Sequence, residues 1–114
     1  MPANANDPAY LWDMLSAARQ IAAFVRGVSF TKYSRNKLIQ SAVERQLEII
    51  GEAARRVSPE YQEDHPEIPW RPIIGLRNIL AHEYGEIKAD RIWLIAKNDV
   101  PGMAKVLETL VPSE

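Results

Sequence analysis

Gly75-Leu76-Arg77-Asn78-Ile79-Leu80-Ala81-His82-Glu83-Tyr84 decides how this chain is read. Turned at roughly 100° per residue from Ile73, Leu76, Ile79 and Leu80 fall with Ile73 on one face. That stripe predicts a helix burying it against a core. Asn78 and His82, four residues apart, stack one turn over the other on nearly the opposite face. Arg77 lies on the flank, with a side chain long enough to swing to either edge. Ile74 adds an apolar residue to the polar side. A surface that mixes apolar residues with an arginine, an amide and an imidazole is better explained by a cleft or a covering partner than by bulk solvent.

Toward the C-terminus, Gly85 suits the positive-φ position that ends a helix. A last helix is predicted from about Ala89, with Ile92, Trp93, Ile95 and Ala96 apolar. Pro101-Gly102 is expected to kink or break it, and Met103, Val106, Leu107 and Leu110 carry it on. Toward the N-terminus, His65-Pro66-Glu67-Ile68-Pro69-Trp70 reads as a proline-spaced loop anchored by Ile68 and Trp70. Ser58-Pro59-Glu60 starts a short helix before it. Thr31 to about Val57 is the longest periodic stretch, with a stripe of Leu38, Ala42, Val43, Leu47, Ile50, Ala53, Ala54 and Val57. Gly51 inside it costs about 1 kcal/mol relative to alanine, so the close approach of another helix is expected there. Glu52 precedes Arg56 by four, the spacing of a helical ion pair.

Asn6-Asp7-Pro8 opens a first helix, whose stripe of Leu11, Met14, Leu15, Ala18, Ile21, Ala22 and Val25 runs to near Gly27. Residues 1–6 are small and polar and are expected to be disordered. Strand-like alternation and internal repeats are missing from the sequence. The expectation is an all-α bundle of four main helices and a short extra one, mostly antiparallel, in a single domain over residues 7–112.

Composition narrows the function. The chain has 114 residues, 46% hydrophobic and 25% charged, with a formal net charge of −1. That balance argues against holding nucleic acid by bulk charge, though not against local contacts. With no cysteine there is neither a disulfide framework nor thiolate chemistry. No apolar run approaches the roughly 20 residues that span a bilayer, and the N-terminus lacks a signal-peptide pattern. The expected compartment is cytoplasmic, with no membrane partner.

Arg77, Asn78, His82 and Tyr84 are the dense gathering of catalytic residue types. An imidazole exchanges protons near neutral pH. A guanidinium presents planar donors to phosphate oxygens, and an amide can orient either. Together they suit attack on a phosphodiester by its own ribose 2′-OH, with the arginine stabilising charge on phosphorus oxygens. Two distant histidines and no carboxylate pair at ligand spacing give no convincing metal site, so neither metal nor cofactor is expected. The bland alternative is a capping histidine beside an ion-paired arginine. Elsewhere, Lys32, Arg35 and Lys37 read as a solvated helix start more readily than as an RNA contact. His65 reads as a loop residue, and Trp12, Trp70 and Trp93 as packing.

The run Arg77 to Tyr84 has the arginine, four residues, histidine, one residue, tyrosine spacing. Ala42 to Ala53, His65 to Trp70 and Gly75 to Asn78 precede or overlap it in matching order. On these segments, covering about residues 8–111, the chain resembles the HepT-like (DUF86) toxins of the HEPN superfamily. The resemblance implies a HEPN-like four-to-five-helix bundle that forms a homodimer, bringing two motifs together in a composite site. It implies a metal-independent endoribonuclease acting on RNA such as tRNA or mRNA, as toxin of a type VII HEPN/MNT toxin–antitoxin system. Arg77 would bind the scissile phosphate, His82 would be the general acid/base, and Asn78 the polar support. Tyr84 would receive AMP from the partner, an MNT-type nucleotidyltransferase antitoxin. Two rivals stand beside this. One is a catalytically silent HEPN nucleotide- or RNA-binding module serving a nucleotidyltransferase; the other is a structural helical protein whose polar motif stabilises a dimer.

Overall fold

Asp7 begins the first helix and ties it to the middle of the chain. In the computed structural model, which describes residues 5–82 and 88–111, helix α1 spans Asp7–Val25 with Pro8 in its first turn, where a missing N–H costs no helical bond. The Asp7 side chain is buried. It accepts from the Ser58 backbone N–H at 3.0 Å and from the Ser58 hydroxyl at 2.7 Å. Removing it strands two donors in a half-buried place, so Asp7→Ala is expected to cost about 2 kcal/mol in urea denaturation. Most of the expected disordered stretch, residues 1–4, lies outside the described residues, while Ala5 and Asn6 form a turn into α1.

The long periodic stretch is two helices, not one. Helix α2 (Phe30–Ser34) is capped by the Ser29 hydroxyl, and α3 (Lys37–Arg56) restarts at Asn36, whose side chain accepts from the Ile39 N–H at 3.0 Å. Buried Gln40 donates to the Tyr33 carbonyl at 2.8 Å, which satisfies the end of α2 at the break. Tyr33 is fully buried beside Trp93, with ring centroids 5.2 Å apart. Burial, then the nearby Glu44 carboxylate, pushes its phenol up to about 12. Leu38 departs from the expected stripe: it is 80% exposed. It lies about 140° round the same helix from Val43, so it never belonged to the buried stripe; the four-residue step from Leu38 to Ala42 carried the stripe onto the wrong face. Val43, Leu47, Ile50, Ala53, Ala54 and Val57 are buried as predicted.

Helix α4 (Pro59–Asp64) is the expected short piece, capped by Ser58. The loop after it is anchored as foreseen, with Ile68 and Trp70 buried. The Trp70 indole N–H donates to the His65 carbonyl at 2.9 Å, and His65 stacks on Tyr61. Trp70 also starts helix α5 (Trp70–His82), three residues before the predicted Ile73. Pro72 is tolerated because it falls in the first turn, where N–H groups lack helical partners anyway.

Helices α6 (Ala89–Leu94) and α7 (Val100–Leu110) are joined without a break by a π-helical turn, Ile95–Asp99. The Val100 N–H bonds back to the Ile95 carbonyl, five residues away. The predicted kink at Pro101-Gly102 is therefore taken up one turn earlier. Proline cannot donate and crowds the preceding turn, and the widened π turn absorbs that misfit.

Packing follows from the stripes. Helix α1 packs against α3 and α7, and α3 against α5. Asp7 meeting Ser58 sets α1 antiparallel to α3. Arg19 pairing with Glu108 and Lys97 reaching the Val25 carbonyl set α1 antiparallel to the C-terminal helix. The architecture is the expected all-α, HEPN-like bundle, with a second short helix added by the α2–α3 break. Among the described residues no helix is long and apolar enough to cross a membrane.

Candidate functional site

Gly51 fixes where the motif helix lies. A β-carbon there would run into the Arg77 β-carbon and stand 2.9 Å from the Ile73 carbonyl oxygen. Helix α5 therefore crosses α3 directly over this glycine, the close approach that its helix-interior position predicted. The crossing changes the reading of Arg77. Its stem belongs to the α3–α5 contact rather than to a free flank, and its side chain is only 26% exposed.

The predicted core face of α5 is likewise redistributed. Ile73, Ile74, Leu76 and Leu80 are half-buried against the core, and Trp70 is the helix's one buried residue. Ile74, which the helical wheel puts on the polar side as an apolar residue without a core to reach, packs against the core and so gives no support for a cleft or a covering partner. Ile79, with Leu76, instead lines an open groove of about 910 Å³ between α5 and the C-terminal helix, walled by Leu94, Met103 and Val106. The motif helix is left half-covered.

Arg77 and Asn78 are brought together. Arg77 Nη1 donates to Asn78 Oδ1 at 3.1 Å, and Arg77 Nη2 is 3.3 Å from Glu52 Oε1. Glu52 also meets Arg55 at 2.7 Å and Arg56 at 3.0 Å; the second of these is the ion pair expected from spacing. A cleft of about 340 Å³ opens beside them, bordered by Tyr10, Asp13, Arg45, Glu48, Glu52, Arg56 and Arg77. Three cations and three anions balance there, so this surface is no simple anion trap. His82, the last residue of α5, is exposed. It shares a face with Asn78 but lies about 140° round the helix from Arg77. Within one chain the arginine and the imidazole therefore diverge. Tyr84 and Gly85 lie outside the described residues.

Hydrogen bonds from Arg55 and then Arg56 hold the Glu52 carboxyl down to about 2, with the charges of Arg55 and Arg77 adding to them. An unpaired glutamate titrates near 4.5. The stability this cluster contributes is thus fully present above about pH 4.5 and is lost as pH falls toward 2. Thermal melts across that range should show a flatter acid limb for Glu52→Gln than for wild type, with matching slopes at neutral pH.

The family model described as ribonuclease HepT-like matches residues 14–110. This chain belongs to the HepT-like family. Its relatives cover nearly the same span. It is 41% identical over 100 residues to "Putative RNase MJ1380" of Methanocaldococcus jannaschii, covering 88% of this chain and 92% of that protein. It is 37% identical over 101 residues to "Probable ribonuclease HepT" of Thermococcus cleftensis, covering 89% and 92%. A third relative, "Putative RNase TTE0752" of Caldanaerobacter subterraneus subsp. tengcongensis, is 31% identical over 105 residues. No solved structure matches.

Family membership agrees with the resemblance carried by Arg77 to Tyr84. The residue that sequence reasoning missed in this HepT-like chain is Glu52 as a partner of Arg77. Its helical neighbours explained it locally, and the one signal of a contact from another helix was the glycine beside it.

Proposed function

We propose that this chain is a metal-independent endoribonuclease, the toxin of a type VII HEPN/MNT toxin–antitoxin pair. The observation that carries the reading is the half-buried Arg77 guanidinium, tethered to Asn78 and Glu52 on the same helix as exposed His82, in a chain whose relatives bear ribonuclease names. In the proposed reaction His82 takes the ribose 2′-OH proton as the 2′-oxygen attacks phosphorus. Arg77 stabilises the charge that builds on the non-bridging oxygens, and the 5′-oxygen leaves with a proton returned by the His82 imidazolium. The products are a 2′,3′-cyclic phosphate and a 5′-hydroxyl.

Because Arg77 and His82 diverge within one chain, a homodimer is the natural way to complete the site. The half-covered α5 and its apolar groove at Leu76, Ile79 and Leu94 supply surface suited to a second copy. AMP placed on Tyr84, two residues beyond His82, would add a negative phosphate and a bulky base beside the motif and repel RNA. That gives an MNT-type nucleotidyltransferase antitoxin a means of control.

Inducible expression without any partner tests the reading. Wild type should arrest growth and fragment tRNA or mRNA on gels, and His82→Ala should do neither. A well-folded wild-type dimer that leaves RNA intact would instead favour a silent nucleotide- or RNA-binding module.

A further inference from the structure

Glu52 meets three guanidinium groups at once, and they are not equivalent. Arg55 and Arg56 stand on its own helix, more than half exposed, at 2.7 and 3.0 Å. Exposed pairs within one helix contribute little and yield readily to water. Arg77 arrives from another helix, at 3.3 Å, with its side chain 26% exposed. The crossing that requires glycine at position 51 also sets this guanidinium beside the next residue's carboxylate. Gly51 and Glu52 thus work as a seat, one admitting the arginine stem and the other facing its head group.

The second tether is Asn78, which accepts from Arg77 Nη1 at 3.1 Å. One hydrogen bond, to Asn78, and one ion-pair contact, to Glu52, restrain the guanidinium through different nitrogens without exhausting its five N–H donors. A side chain held this way loses little rotamer freedom when a phosphate arrives, which favours orientation over raw attraction. The carboxylate has an opposite effect on binding, since it lowers the local positive charge that phosphates would feel.

We propose that Glu52 is a positioning residue, holding the Arg77 guanidinium in the orientation in which it meets the scissile phosphate of RNA. For what Arg77 does, this rests on the ribonuclease reading above; for where Arg77 is held, it rests on the crossing at Gly51. The predicted signature is a split between turnover and binding. Loss of the carboxylate disorders Arg77 and lowers kcat, while the removal of its negative charge leaves RNA binding as tight or tighter.

The test compares wild type, Glu52→Gln, Glu52→Asp, Arg77→Ala and the Glu52→Gln/Arg77→Ala double variant of the full chain. Cleavage of a defined tRNA is read with RNA in excess, and the mobility of the Arg77 guanidinium by side-chain NMR in the absence of RNA. Glu52→Gln should lower kcat about tenfold without raising KM, and Glu52→Asp should recover part of the loss. In the Arg77→Ala background the same change should matter less than about twofold. Arg77 should be rigid in wild type and mobile in Glu52→Gln.

An equal loss in both backgrounds, or a raised KM at unchanged kcat, would overturn the positioning role. So would an Arg77 that is already mobile in a wild type that cuts RNA. A rigid Arg77 in a wild type that cuts nothing would instead remove the ribonuclease reading and uphold the tether.

Discussion

His82→Ala should reduce RNA cleavage by about 10²- to 10⁴-fold, the range associated with loss of a general acid or base, and should leave the fold intact. The imidazole is exposed at the last residue of α5, so its removal takes nothing from the core. Substitutions in such places usually change stability by under about 0.5 kcal/mol. Single-turnover cleavage together with thermal melting separates the two effects. Arg77→Ala should lose comparable activity through missing transition-state stabilisation, but it also removes a stem that packs over Gly51. Arg77→Lys keeps the charge and much of the stem while losing the planar fork, and is the cleaner probe of the guanidinium. Strong losses in Arg77→Lys and His82→Ala with near-native melting would place both in the chemistry. Cleavage by His82→Ala at the wild-type rate would remove the imidazole from it.

Gly51→Leu should cost about 3 kcal/mol or more, or prevent folding outright. The first added carbon already meets the Arg77 stem and the Ile73 carbonyl. The second of these is backbone and cannot turn aside. Overpacking of a tight contact typically costs about 1–3 kcal/mol even where flexible side chains yield, and leucine adds three further carbons. Urea denaturation reads the loss directly. Gly51→Ala is the graded control. Its gain in helix propensity, about 1 kcal/mol, offsets part of the clash, so it should destabilise less than leucine. A Gly51→Leu protein with wild-type stability would mean that α5 does not cross α3 here, and the seat for Arg77 would go with it.

Much of this architecture is legible in the sequence because single helices announce themselves locally. Apolar spacing places α1 and most of α3, Ser58-Pro59 marks α4, and Ile68 and Trp70 anchor the loop as their setting predicts. The departures occur where local signals compete. The polar Ser34-Arg35-Asn36 run splits a stretch whose periodicity looks continuous, and Leu38, four residues before half-buried Ala42 but about 140° from Val43, falls on the solvent side. Pro101 disturbs the helix through its missing donor, but the backbone relaxes in the preceding π turn rather than at the proline.

The site divides in the same way. Arg77, Asn78 and His82 are visible as a motif, and Gly51 signals that another helix passes close by. Which helix passes, and that it carries Arg77 to Glu52, depends on contact between segments 25 residues apart in sequence; spacing within one helix has no access to that. The open groove beside Ile79 is hidden for a related reason. A helical wheel marks apolar residues without telling whether the neighbouring helix closes over them.

The most direct measurement is end-group analysis of RNA cut by the purified protein in the presence of EDTA. Fragments carrying 2′,3′-cyclic phosphate and 5′-hydroxyl ends, formed by wild type and missing with His82→Ala, are the expected result. Cleavage that stops on chelation, or that leaves 3′-hydroxyl and 5′-phosphate ends, would contradict attack by the ribose 2′-oxygen with His82 as its base.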